Sequence, residues 1–184
     1  MPAYILTKAS GLEPALEPGI KLTAGTLYTT NDSGVAEVRS DDGSQYKFGP
    51  ESNFAVEMTD EGEVLVYGGE VWGAILRPPN GKYRTSCWLV GTCKGPWEFY
   101  ARGSNSVDIT KSADDIYTCL AGSFEIYEYI HGQRVGLISL RADETVRVAY
   151  TPGIEGVAAY EAQMIASENW ITVSSQRRAD LFGA

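Results

Sequence analysis

His131 is the single histidine of the sequence, so any Ser/His/Asp or Cys/His mechanism must run through it. It stands in the stretch IYEYIHGQRVG, a hairpin-turn context between two strands, where a solvated turn residue is the plain expectation. No G-x-S-x-G nucleophile elbow accompanies it. Together with Cys87, Cys93 and Cys119 it matches the ligand count of a structural zinc site. The spacing does not match, because such sites use close pairs such as C-x₂₋₄-C that emerge from one tight knuckle. Cys87 and Cys93 are further apart, with Gly91-Thr92 between them, and read better as small hydrophobes of the core.

The carboxylates give no catalytic pair either. Glu125 and Glu128 have opposite parity in a strand and point to opposite faces. Glu61 and Glu63 share a face but sit at a hairpin turn, and Asp41-Asp42 and Asp114-Asp115 read as turn caps. No phosphate-cradling G-x-x-x-x-G-K-[ST] motif occurs. The expectation is a protein that is not an enzyme and needs no cofactor or metal.

The elements that carry these residues are expected to be strands. Twenty Gly and eight Pro are spread along 184 residues, as tight turns between short strands require. Tyr46 and Phe48 alternate with Gln45 and Lys47, and Phe54, Val56 and Met58 alternate with Ala55 and Glu57. That period of two marks half-buried strands. Further strands are expected at Tyr4 to Leu6, Val35 to Arg39, Val64 to Tyr67, Val71 to Ile75, Tyr83 to Val90 and Trp97 to Tyr100. The series continues at Ile116 to Leu120, Phe124 to Ile130, Val135 to Leu140 and Thr145 to Tyr150. Arg102 to Ala113 is small and polar, and reads as an exposed loop.

Three segments follow from this: an extended N-terminal piece (1–18), a β domain (19–150) and a C-terminal helix plus arm (151–184). The β domain has two strand-rich halves, joined near 77–82 by Pro78-Pro79-Asn80-Gly81. In the last segment, the Ala-rich spacing after Pro152-Gly153 predicts one helix over Ile154 to Ser167, and Trp170 to Val173 reads as a final strand. The fold expected is all-β, mainly antiparallel and roll- or sandwich-like, with one short C-terminal helix.

A formal charge of −9 and a pI near 4.6 repel phosphate backbones, so nucleic acid is not an expected partner. No apolar run approaches the ~20 residues of a membrane-crossing helix, and MPAYILTKASGLEP lacks a signal peptide's basic and apolar regions. Synthesis in the cytoplasm without membrane insertion is expected. The odd cysteine count fits a reducing compartment, and whether any two thiols bridge stays open.

The aromatic content suggests a surface for partners. Trp97, Tyr100, Tyr127 and Tyr129 cluster in sequence, and such residues either anchor interfaces or fill a core. The polar tail Ser174 to Ala184 ends in the apolar pair Leu181-Phe182, preceded by Arg177 and Arg178. As an arm it would lay the apolar pair on a neighbour and set the arginines against acidic groups; the alternative is an arm folded back on its own sheet.

The stretch LEPGIKLTAGTLYTTNDSGVAEVRSDDGSQYKFGPESNFAVEM resembles the opening of a FecR-type domain. The shared features are Gly19, Gly25-Thr26, Val35 to Val38, Asp42-Gly43-Ser44, Tyr46 to Phe48 and the corner Gly49-Pro50-Glu51-Ser52. VLVYGGEVWGAI, LVGTCKGPWEF, IYTCLAGSFEIY and VGLISLRADETVRV extend the resemblance to about Val148, although Lys94-Gly95-Pro96 interrupts one strand of the pattern. The resemblance implies a non-catalytic β domain that recognises proteins or envelope polymers. The signalling members' membrane segment and cytoplasmic regulator region are not in this sequence. The expectation is therefore a structural or assembly protein that binds itself and other structural proteins in a virion or cell-surface assembly. The alternative is an envelope-associated FecR-type binding module.

Overall fold

The computed structural model describes residues 3–57, 63–76, 82–85, 89–92, 96–103, 113–130, 133–151 and 159–183. His131, Cys87, Cys93, the proposed joint at Pro78 to Gly81 and most of the expected loop after Arg102 lie outside the described residues. The fold is mainly antiparallel β with one C-terminal helix, as the period-2 patterning predicts.

The first layer is built on β2 (Tyr28–Ser40). One edge of β2 pairs with β1 (Tyr4–Glu13); the other pairs with β3 (Gln45–Phe48) and then β4 (Asn53–Glu57). Both β3 and β4 then pair with β5 (Glu63–Ile75), a single 13-residue strand that runs through Gly68-Gly69, where the sequence suggests a break. On its far side β5 meets two partners. Its first part pairs in parallel with β6 (Lys82–Thr85), and its second part pairs antiparallel with β8 (Trp97–Gly103).

The sheet therefore branches at β5. One branch continues from β8 through β9 (Ala113–Ala121) and β12 (Thr145–Thr151) to β13 (Ala159–Ile165). The other runs from β6 through β7 (Leu89–Thr92) and β10 (Ser123–Ile130) to β11 (Gln133–Arg141). The second branch folds over the first. Phe124 on β10 lies 4.5 Å from Trp97 and 6.1 Å from Phe99 between ring centroids, and β11 comes close to β9 and β13.

The core runs through both halves without interruption, from Tyr4, Leu6 and Leu12 to Leu140, Val146 and Val148. The N-terminal strand is thus part of the sheet. Its outer edge is closed by the returning chain: the Leu6 N–H donates to the Ile20 carbonyl, the Gly19 N–H to that of Leu6 and the Leu22 N–H to that of Tyr4. Phe48 and Phe54 stack at 3.8 Å and Tyr28 lies against Phe54, so the predicted alternation does place one face of β3 and β4 inside.

The C-terminal segment corrects the sequence reading. Residues 159–165, expected as helix, form β13, and Trp170 to Val173, expected as strand, belong to helix α1 (Glu168–Phe182). Seven consecutive pairs from Thr145↔Ile165 to Thr151↔Ala159 tie β13 to β12. That ladder outweighs the helix propensity of three alanines, which is a weak preference.

Candidate functional site

The outer face of the β5–β8 pair carries the charged cluster. Glu70 and Trp72 on β5 stand opposite Arg102 and Tyr100 on β8, while the residues between them, Val71, Phe99 and Ala101, face the core. A corner fixes Glu70. The Ser52 hydroxyl accepts a hydrogen bond from the Glu70 N–H and lies within bonding distance of the Glu70 and Gly49 carbonyls. The Thr30 hydroxyl donates to the same Gly49 carbonyl and accepts from the Ser52 N–H. Gly69 has φ +100, and a Cβ there would lie 2.4 Å from Ser52 Cα, so only glycine fits the approach.

On this base sits α1. Arg177 reaches back with Nε and an η nitrogen, each 2.8 Å from a different oxygen of Glu70, and the Tyr100 hydroxyl donates to the same carboxylate. Burial would raise the Glu70 carboxyl, but hydrogen bonds from Arg177 and Tyr100, with the charges of Arg177 and Arg102, hold it below its ordinary value. Burial and the adjacent carboxylate push the Tyr100 phenol well up, so it stays neutral. Beside them Trp72 donates from its indole N–H to Glu98 at 2.8 Å. Arg178 lies 4.4 Å and Lys47 5.4 Å from the Trp72 ring centroid, both within cation–π range. Chemically this is a satisfied ion cluster: a paired carboxylate, a neutral phenol and cations already engaged.

These contacts sort the residues singled out from sequence. Trp97 and Tyr100 are each 2% exposed and present no ring to a partner, a correction to their reading as interface anchors. Trp97 faces the inner layer, and Tyr100 lies on the outer face under α1. Arg177 and Arg178 do meet acidic and aromatic groups, but those of their own chain, so the arm folds back on its own sheet. Tyr127 and Tyr129 lie on β10, and Leu181 and Phe182 end α1; their side chains are outside the described ones. Sequence reasoning missed Glu70 and Trp72. The available signal was a lone carboxylate inside the apolar run VLVYGGEVWGAI, since a charge in a buried strand requires a partner.

A half-open crevice of about 150 Å³ lies where the end of α1 meets the sheet, lined by Trp72, Glu98, Leu120, Ser174 and Arg178. Among the described residues no group of three or more His, Cys, Asp or Glu is placed to hold a metal ion. Among the described residues no helix is long and apolar enough to cross a membrane. Cys119 is buried on β9, its thiol directed at the Ala121 and Gly122 carbonyls.

A second surface is the outer edge of β13. Among the described residues β13 pairs only with β12, in unbroken register and with no proline, lysine or arginine along it. Ala162 and Met164 stand opposite the buried Val148 and Val146 and so extend the core face, yet Met164 is 42% exposed. Helix α1 leaves this edge uncovered, because it runs inward from β13 past β9 to Glu70 on β5.

No protein-family model matches the chain, and no curated protein is significantly similar to it.

Proposed function

We propose that the protein is a non-enzymatic structural subunit that associates with itself, as a building block of a repeating particle such as a phage virion (head decoration or tail) or a surface filament. The outer edge of β13, unpaired among the described residues, carries this reading. Exposed strand edges are templates for further pairing, and single-chain proteins blunt them with charge, proline, bulges or covering chain. Among the described residues β13 has no proline, bulge, lysine or arginine; its one charge is Glu161, and its core-side Met164 is open. Exposed Ile20, Leu27 and Leu76 add apolar surface elsewhere. Other structural proteins are the natural further partners of such a subunit. The test is the mass of the full chain in solution over a wide concentration range. A defined oligomer is expected; a monomer at the highest concentrations refutes the reading.

A second reading is an envelope-associated FecR-type module that recognises a protein or glycan. It is favoured by the corner Gly49 to Ser52, part of the motif on which the resemblance rests, whose groups act as one hydrogen-bonded unit with Thr30 and Glu70. Thiol counting separates the two. Three reduced cysteines in protein denatured without reductant fit assembly in the cytoplasm, and a bridged pair fits export.

A further inference from the structure

We infer that two copies pair through β13, antiparallel, about a two-fold axis at Ala162. The inference rests on the self-association proposed above and names the surface and register that perform it. Of the outer edges among the described strands, β13 alone is both regular and uncharged by lysine or arginine. The β1 edge is closed by Gly19 to Leu22, and Lys8 lies on that strand. β11 carries Arg134 and Arg141 and pairs with β10 across a register shift.

The sequence of β13 is complementary to itself in one register. With Ala162 opposite Ala162 of the second copy, Glu161 faces Gln163, Tyr160 faces Met164 and Ala159 faces Ile165, and each pair occurs twice by symmetry. All seven residues are then paired. Each carboxylate meets an amide, which donates to it, and Arg147, opposite Gln163 on β12, lies one strand beyond. Placing the axis at Glu161 instead sets two carboxylates directly opposite, the arrangement that disfavours strand pairing. Ala162, small and partly buried at the axis, lets the backbones approach. The pairing also carries the core face of the sheet from Val146 and Val148 through Met164 into the second copy.

Two sets of variants of the full chain test this. In Ala162→Cys the new thiols lie on residues directly opposite each other, with Cα atoms about 4.5–5.5 Å apart, within reach of a disulfide. In Glu161→Cys the two cysteines are diagonal neighbours, with Cα atoms about 7–8 Å apart, beyond that reach. Mild oxidation followed by peptide mass mapping is expected to give a 162–162 cross-link and no 161–161 cross-link. Independently, Gln163→Glu opposes two like-charged pairs and is expected to weaken association roughly 3- to 30-fold. The exchange Glu161→Gln with Gln163→Glu restores one acid opposite one amide and is expected to recover the parent affinity. An oligomer whose mass is unchanged by Gln163→Glu, or which cross-links at 161 as readily as at 162, overturns the β13 pairing and leaves self-association standing. A parent chain that stays monomeric overturns both.

Discussion

Arg177→Met removes the guanidinium that holds α1 on the sheet while keeping the aliphatic stem. Glu70 is 7% exposed, and two of its hydrogen bonds, each 2.8 Å, come from Arg177. Leaving a buried carboxylate without its cation costs about 3–5 kcal/mol where both partners are enclosed. Here the Arg177 side chain is 34% exposed, so solvent already screens the pair. Tyr100 and Arg102 also remain near the carboxylate. A loss of about 2 kcal/mol is therefore expected, roughly 30-fold in the docking equilibrium. α1 has little to compensate with, since Ser174 is its one fully buried residue among those described. Native-state amide exchange reads the effect directly: α1 amides should lose about 30-fold of protection, while β2, β8 and β9 keep theirs. Unchanged protection of α1 in Arg177→Met refutes the ion cluster as the clamp.

The same cluster sets a pH window. The folded Glu70 carboxyl lies below its ordinary value, so its contribution is complete above that range and is lost as pH falls through the depressed folded value. Tyr100 is raised, so its contribution is complete below the ordinary phenol value of 10.0 and is lost as pH rises beyond it. Denaturant midpoints should show a plateau between acid and base limits, and Glu70→Gln should flatten the acid limb. Gly69→Ala forces a side chain into positive φ and against Ser52, at an expected cost of roughly 2–4 kcal/mol measured by chemical unfolding. A cost below 1 kcal/mol there would show that the corner yields.

A strand such as β3 was legible because its two faces differ: Gln45 and Lys47 against Tyr46 and Phe48 is a pattern no helix produces. The outer sheet face was harder to read. Trp97 and Tyr100 read alike from composition, and only the register of β8 against β5 shows one turned inward and the other lying under a helix. At the C-terminus the local signals misled. Ala159, Ala162 and Ala166 favour helix, yet Tyr160, Ala162 and Met164 alternate with Glu161 and Gln163, the period-2 pattern that should have taken precedence. Ile171, Thr172 and Val173 look like strand, but their helix is held by tertiary contacts with Glu70 and Trp72, more than a hundred residues earlier in some cases, as in the Arg177 pair at a separation of 107. The local sequence shows that Glu70 needs a partner but not which distant residue supplies it.

The position of β5 at the branch has a consequence for the order in which the chain acquires structure during synthesis. β1 to β5 leave the ribosome first and can pair among themselves, because β3 and β4 already join β2 to β5. The other side of β5 then waits for β8, whose last residue, Gly103, follows Ile75 by 28 positions in the sequence. At about 5–20 residues per second, an edge containing Val71, Trp72 and Ile75 stays unpaired for roughly one to six seconds. Through that interval the nascent chain exposes a central strand as an edge. Until β8 arrives, a chaperone or low crowding by the protein's own copies keeps that edge from pairing wrongly.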